Sequence, residues 1–210
     1  MNKKYHIQIT RKSLKDLVSE RALETIIKGN IKQDRPAMLY GHDHIHFDSN
    51  AFFTGFNYIK EQQQLAFDYL MLSNTSQAWE SFGRVLHSWQ DFYSHSNYIK
   101  LWRQDHKNTP PHKVICDDQQ ILNHFALKSG KIYGIFELLS MLPLISYIMK
   151  PMMPSDSHAR MNLDSPASGP DFYYAYWAAL KRTNKAFEKF VYKIGMIDNQ
   201  QDLIIRFKDK

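Results

Sequence analysis

Arg84-Val85-Leu86-His87-Ser88-Trp89-Gln90-Asp91-Phe92-Tyr93-Ser94-His95-Ser96-Asn97 is the stretch on which the reading of this chain turns. His87, Asp91 and His95 recur at every fourth position. On a helix advancing about 100° per residue, each lies about 40° round from the one before, so all three share one narrow face. Val85, Leu86, Trp89 and Phe92 between them are apolar and are expected to be buried. An imidazole, a carboxylate and an imidazole on a buried stripe need polar partners, because burying an unpaired polar group is costly. A divalent cation satisfies all three at once. The plainer alternative is a hydrogen-bonded His–Asp pair.

The remaining patterns extend outward from this helix. Leu14, Leu17, Val18, Ala22, Leu23, Ile26 and Ile27 follow Thr10 at helical spacing, with Thr10 as the expected N-cap and Gly29 as the expected stop. Residues 30–50 read as a loop, Phe56 to Leu72 as a helix, and Thr75 or Ser76 as the cap of the helix carrying the stripe. Lys107 to Pro111 reads as a turn, and Asp117 to Lys128 and Ile132 to Lys150 as two helices broken at Gly130. Pro151 to Pro170 reads as a polar loop, Asp171 as the start of an amphipathic helix ending near Gly195, and Gln200 to Phe207 as a short closing helix. No run sustains period-two alternation, so the expectation is an all-α single domain over residues 1–210. Tyr173, Tyr174, Tyr176, Trp177, Phe187 and Phe190 fit core packing first, with a lipid or base pocket as the sharper alternative.

Composition narrows the chemistry. The single cysteine, Cys116, makes no internal disulfide and rules out Cys-rich zinc modules, so any metal is held by His, Asp, Glu or backbone. The 27 basic and 21 acidic residues give a net charge of +6, a bias that suits phosphate-bearing partners or simply a solvated basic surface. The start has two lysines but no apolar core and no cleavage site, so a cytoplasmic location is expected, with another export route or a removed signal as alternatives. Ile132 to Met149 carries Glu137, Ser140 and Pro143 and is short for a span, so a buried helix kinked at Pro143 is expected there, with a surface that dips into a bilayer as the alternative. The chain has no nucleophile elbow, no Walker loop and no dinucleotide fingerprint.

Other imidazoles and carboxylates stand at the edges of the predicted helices: His6, Asp34, His46 with Asp48, and His158. These are the places where a bundle core opens to solvent. His42 and His44 read as solvated or as a local tract for adventitious ions. His106, His112 and His124 read as surface or cap residues, and Asn97 as a residue that contacts substrate or holds His95.

The layout resembles the zinc-dependent phospholipase C and P1 nuclease superfamily, and within it the Het-C heterokaryon-incompatibility group, over roughly Tyr5 to Phe190. The resemblance rests on His6-Ile-Gln-Ile-Thr10, Gly29-Asn30-Ile-Lys-Gln-Asp34, His46-Phe47-Asp48, Gly83-Arg84-Val-Leu-His87 with Asp91 and His95, His158-Ala-Arg-Met-Asn162-Leu-Asp164-Ser-Pro166, and the helix from Tyr176 to Phe187. It implies the mostly helical fold of that superfamily and the metal ligands His6, Asp34, His46, His87, Asp91, His95 and His158. It further implies Asp91 as a bridging carboxylate and Asp34 as the group that orients or deprotonates water. Two departures stand out. Family members use an N-terminal Trp, whereas no Trp precedes Trp79 here, although the Met1 amine is close enough in sequence to reach. The acid expected after the late histidine is Asn162, so Asp156 or Asp164 would have to substitute.

The implied cofactor is Zn2+, two or three ions, with other divalent transition metals open. The implied reaction is metal-dependent hydrolysis of a phosphodiester, most like phospholipase C, on a phospholipid headgroup with peripheral membrane contact. Nucleic acid is the substrate of the second reading, a P1-type nuclease or phosphatase on the same site. A third reading is a metal-stabilised interaction or toxin domain without turnover. No partner protein is implied.

Overall fold

The structure is a computed structural model of the chain, described for residues 1–39, 41–134, 136, 149–197 and 201–210. Most of the expected helix Ile132 to Lys150 lies outside these residues. The helices are α1 (Lys3–Leu14), α2 (Glu20–Ile31), α3 (Pro36–Leu39), α4 (Asp43–His46), α5 (Phe52–Met71), α6 (Thr75–His95), α7 (Tyr98–Asp105), α8 (Gln119–Leu122), α9 (His158–Met161), α10 (Asp171–Gly195) and α11 (Gln201–Lys208). No strand occurs among the described residues, only isolated bridges at Ser96–Ser129 and Lys131–Ser157. The protein is all-α. Among the described residues no helix is long and apolar enough to cross a membrane.

Helix α6 is the axis. From Ala78 to His95 nearly every side chain is buried, because α2, α5 and α10 pack on it from different sides. A helix hydrophobic or buried all round has to lie at the centre. Two glycines set its distance from α2. A Cβ on Gly83 would stand 2.1 Å from the Ile26 carbonyl oxygen, and one on Gly29 would stand 2.3 Å from that of Glu80. The backbones therefore touch, and this draws Asn30 against the His87 stripe. Helix α11 closes the far end, with Phe207 edge-on to Phe82 at 5.5 Å and the Trp79 indole N–H donating to the Phe207 carbonyl at 2.7 Å.

Several boundaries differ from the sequence expectation. Thr10 is not a cap but a fully buried residue inside α1, and Gly29 is inside α2 rather than at its end. The apolar period runs through a break at residues 15–19, where the chain reverses and Ser19 caps α2 by accepting from the Ala22 N–H at 3.1 Å. Asn74, not Thr75 or Ser76, caps α6, accepting from the Gln77 N–H. Helix α5 begins at Phe52, four residues before the expected Phe56. Asp117 to Lys128 forms only the single turn α8, since Asn97 takes up the backbone there: its amide donates to the Ala126 carbonyl at 2.9 Å and accepts from the Lys128 N–H at 2.8 Å. Asn97 therefore clamps two segments and does not hold His95. The aromatic helix α10 buries Tyr174, Phe187 and Phe190, as core packing requires, and leaves Tyr173 exposed.

Candidate metal centre

Helix α6 delivers His87, Asp91 and His95 to one buried face, as their spacing demands. Around the Asp91 carboxylate the fold gathers His6 Nε2 at 3.1 Å from Oδ1, and His46 Nδ1 and His87 Nε2 each at 2.9 Å from Oδ2. The Met1 amine also bonds Asp91, and His95 Nε2 lies 3.8 Å away. Asp34 reaches the same cluster, with Oδ1 3.7 Å from His87 Nε2. His6, Asp34, His87 and Asp91 each present a ligand atom within 4.8 Å of the others.

A second cluster adjoins it. Asp48, His95 and His158 also present ligand atoms within 4.8 Å of one another. Asp48 Oδ1 accepts from the His158 Nδ1–H at 2.8 Å and lies 3.2 Å from His95 Nδ1. On the opposite ring edges stands Asp164, with Oδ1 3.2 Å from His95 Nε2 and Oδ2 4.0 Å from His158 Nε2. Asp164, 3.0 Å from the Met1 amine, is the substitute acid. Asp156 is turned away, paired with Lys131 at 2.9 Å and Tyr133 at 2.8 Å. His42 and His44 stay outside both clusters, with His44 edge-on to Tyr58 at 5.4 Å.

The outward nitrogens of His6, His46, His87 and His95 each meet an acceptor. The His6 Nδ1–H donates to Gln90 Oε1 at 2.6 Å, the His87 Nδ1–H to Asn30 Oδ1 at 3.3 Å and the His95 Nδ1–H to the His46 carbonyl at 2.9 Å. The His46 Nε2–H donates to the Met38 carbonyl at 3.3 Å. Carbonyl oxygens only accept, so the inward nitrogens of neutral rings carry lone pairs facing the carboxylates, the arrangement that metal-ligating histidines adopt. Gln90 and Asn30 are themselves fixed. Gln90 Nε2 donates to Thr10 Oγ1 at 3.2 Å and Thr183 Oγ1 at 3.1 Å, and Asn30 Nδ2 donates to Thr10 Oγ1 and Gln90 Oε1, both at 3.1 Å. All four side chains are fully buried.

On the other side, loops do the positioning. Phe47, Ser49 and Asn50 have left-handed backbones, with φ of 58°, 51° and 61°. Such conformations cost about 1–2 kcal/mol per non-glycine residue and persist only when the surroundings enforce them. Here the buried Phe47 ring packs on Phe56 at 5.0 Å and Phe92 at 5.2 Å, and Asn50 exchanges two 2.8 Å bonds with Ser129. His46 and Asp48 thereby flank a turned-out Phe47 and both face the centre. Backbone bonds from Gly130 N–H to the His95 carbonyl at 3.0 Å and from Leu163 N–H to the Ser94 carbonyl at 2.8 Å bring His158 and Asp164 in.

Electrostatics match the crowding. Burial alone would raise the Asp91 carboxyl, but the Met1 amine and the surrounding imidazoles hold it well below the usual carboxylate range. Burial likewise opposes, and the amine and His95 overcome, at Asp164; at Asp48 His158 and His95 do the same. The Met1 amine is pushed down by burial, yet Asp164, Asp91 and Asp34 raise it to about 11. His95 and His46 stay raised against burial by their carboxylate neighbours, whereas burial lowers His87 to about 4. His6 Nε2 and Asp34 Oδ2 are buried with no hydrogen-bond partner. Two buried acceptors left without a donor in this way fit coordination to a cation. A cleft of about 300 Å³ lined by Met1, Asp34, His46, His95, His158 and Asp164 opens the centre to solvent.

All seven sequence-derived ligand candidates therefore meet in one centre. Asp48 stands out in the sequence as an acid beside His46 but not as one of the implied ligands, and Gln90, Asn30, Thr10 and Thr183 do not stand out as part of the centre. Asp48 stood inside a quoted motif, and Gln90 sits one residue from Asp91, but nothing local marks either as a partner of a distant histidine. A family model described as the VWA7 N-terminal domain matches residues 5–129. No curated protein and no solved structure matches the chain.

Proposed function

The chain belongs to the VWA7 N-terminal domain family, a membership that names no activity, and from the geometry of its centre and the resemblance of its motifs we propose a zinc-dependent phosphoester hydrolase of the phospholipase C and P1 nuclease kind. The observation that carries this reading is Asp91: one buried carboxylate whose two oxygens face His6 on one side and His46 and His87 on the other. That is the placement of a bridging ligand. The donor set fits the ion. Zinc–nitrogen and zinc–oxygen bonds of about 2.0–2.2 Å place tetrahedral ligand atoms about 3.3–3.5 Å apart. His46 Nδ1 and His87 Nε2 stand 3.1 Å apart, and His87 Nε2 and Asp34 Oδ1 3.7 Å.

His46, His87, Asp34 and Asp91 Oδ2 would hold one ion. His6, the Met1 amine and Asp91 Oδ1 would hold a second, and His95, His158 and Asp164 a third. When bound, a zinc pair would supply water with a pKa lowered toward about 7 and charge to offset the phosphate and leaving-group oxygens. The residues supply the rest. Asp34, part-exposed in the cleft with an unpartnered buried oxygen, would accept a proton from the attacking water and orient it. Gln90 and Asn30 keep the lone pairs of His6 and His87 turned inward, so no reorganisation is needed on loading. The buried helices exclude bulk water from Asp91, which strengthens each charge contact.

The test is turnover of p-nitrophenylphosphorylcholine by zinc-loaded protein, beside the Asp91→Ala variant. Hydrolysis that vanishes in the variant supports the reading. A fully zinc-loaded protein that cleaves neither this ester nor single-stranded oligonucleotide defeats it, and leaves the metal as a structural element of an interaction domain.

A further inference from the structure

The segment from Ser157 to Asp164 has two working faces. His158 and Asp164 line the cleft of the metal centre, while Arg160, Met161 and Leu163 line a separate cavity of about 940 Å³. Its charge is one-sided. Lys100, Arg103, Lys128 and Arg160 border it, and Asp171 is the single carboxylate among its lining residues. Asp171 is already committed to the Arg103 guanidinium. Lys100, Lys128 and Arg160 have no acidic partner among the described residues.

The cavity is also built rather than incidental. Arg103 is gripped between Asp171 and the Tyr174 ring, 4.8 Å from its centroid, and its Nε is buried without a hydrogen-bond partner. Arg160 is tethered by donation to the Met153 carbonyl at 3.3 Å. The Asn97 clamp fixes the Lys128 backbone across from α7, which carries Lys100. A concave surface with uncompensated cations focuses an attractive field on anions. Arginine and lysine donors around a phosphoryl group form the stronger, charge-assisted class of hydrogen bond. Leu101, Ala126, Met161 and Leu163 add apolar wall between the cations. The volume lies within the roughly 300–1,000 Å³ that small-molecule sites occupy.

We propose that this cavity is a second ligand site that binds a small phosphorylated organic molecule, its phosphoryl group held by Lys100, Lys128 and Arg160 and its organic part by the apolar wall. The proposal stands on these side chains and is independent of the metal-centre chemistry.

The experiment is a 1H–15N NMR titration of the full metal-loaded chain with sn-glycerol 3-phosphate and, separately, with inorganic phosphate. The expected result is saturable shifts at the amides of Asn97, Lys100, Lys128 and Arg160 that weaken with added salt. The organic phosphate is expected to bind at least tenfold tighter than the inorganic one. Combining Lys128→Ala with Arg160→Ala, both exposed side chains, should weaken binding at least tenfold at unchanged metal content. Neutralising the exposed Lys60 and Lys107 instead should leave it intact. Shifts confined to Met1, His95 and Asp164, equal affinity for the two phosphates, or equal loss in both double variants would each overturn the proposal.

Discussion

The centre has two halves built by different means. One half is helical: His6 on α1, Asn30 on α2, and His87, Gln90 and Asp91 on α6, locked by a buried network of amides and hydroxyls. The other is made of loops and short turns: His46, Asp48, His158 and Asp164, placed by left-handed backbone and by bonds between segments far apart in sequence. Rigid helices hold ligands through packing, whereas the loops hold them through long-range hydrogen bonds. Loss of a single contact should therefore damage the two halves differently.

The largest effect should come from the residue that joins them. Asp91→Ala removes the carboxylate shared by the amine and the imidazoles, and elemental analysis should find metal lost and turnover abolished. Full metal content in that variant would mean the halves bind independently. Next comes the scaffold of the helical half. Gly83→Ala drives a methyl into the Ile26 carbonyl, and denaturant unfolding should show destabilisation of about 3 kcal/mol, at the upper end of ordinary overpacking. A smaller change would show that α2 and α6 can separate without cost.

Gln90→Leu tests the same half chemically. It strips the acceptor from His6 Nδ1 and leaves Thr10, Thr183 and Asn30 short of a partner. Zinc affinity should fall about 10–100-fold, as when outer partners of metal ligands are lost, with about 1–3 kcal/mol of stability lost to the unsatisfied groups. Asp48→Ala is its counterpart in the loop half. It frees His158 at its Nδ1 edge and removes the carboxylate 3.2 Å from His95 Nδ1, which keeps the His46 carbonyl, so isothermal titration should show one weakened metal equivalent while the others bind normally. Uniform weakening of every equivalent would erase the distinction between the halves.

A gradient with pH acts on both halves at once. In the ion-free protein His46, His95 and the Met1 amine all have raised pKa values. The Met1 amine and His95 keep protons that an incoming cation must displace, and His46 is shifted in the same direction. Binding should release protons, and affinity should rise between pH 6 and pH 8 by about tenfold per pH unit for each proton displaced. The linkage to stability runs the other way for the ion-free chain. The raised imidazoles stabilise it fully below about pH 6.5 and lose that contribution as pH climbs through their folded values. A pH-independent affinity would show that the ligands are already deprotonated.

The two halves also differ in how far the sequence discloses them. Spacing alone places His87, Asp91 and His95 on one face, since a helix repeats its direction every 3.6 residues. The same period hides the break at residues 15–19, because Leu14, Val18 and Leu23 stay buried on both sides of the reversal. Thr10 and Gly29 fit the chemistry of a cap and a stop, but tertiary packing uses them as a buried hydroxyl and as a contact point between backbones. His46, Asp34 and His158 stand out only as polar residues at helix edges and join the stripe through the resemblance of their motifs, since no local period links residues so far apart. Gln90 escapes altogether, and Asp48 shows only as an acid beside His46, because their partners are set by how loops and helices meet in space.

The most direct measurement is X-ray anomalous scattering at the zinc edge from crystals of never-chelated protein. The account predicts peaks bonded to Asp91 and shared with His46 and His87 on one oxygen and with His6 on the other. An empty centre, or zinc found only at His42 and His44, would contradict it.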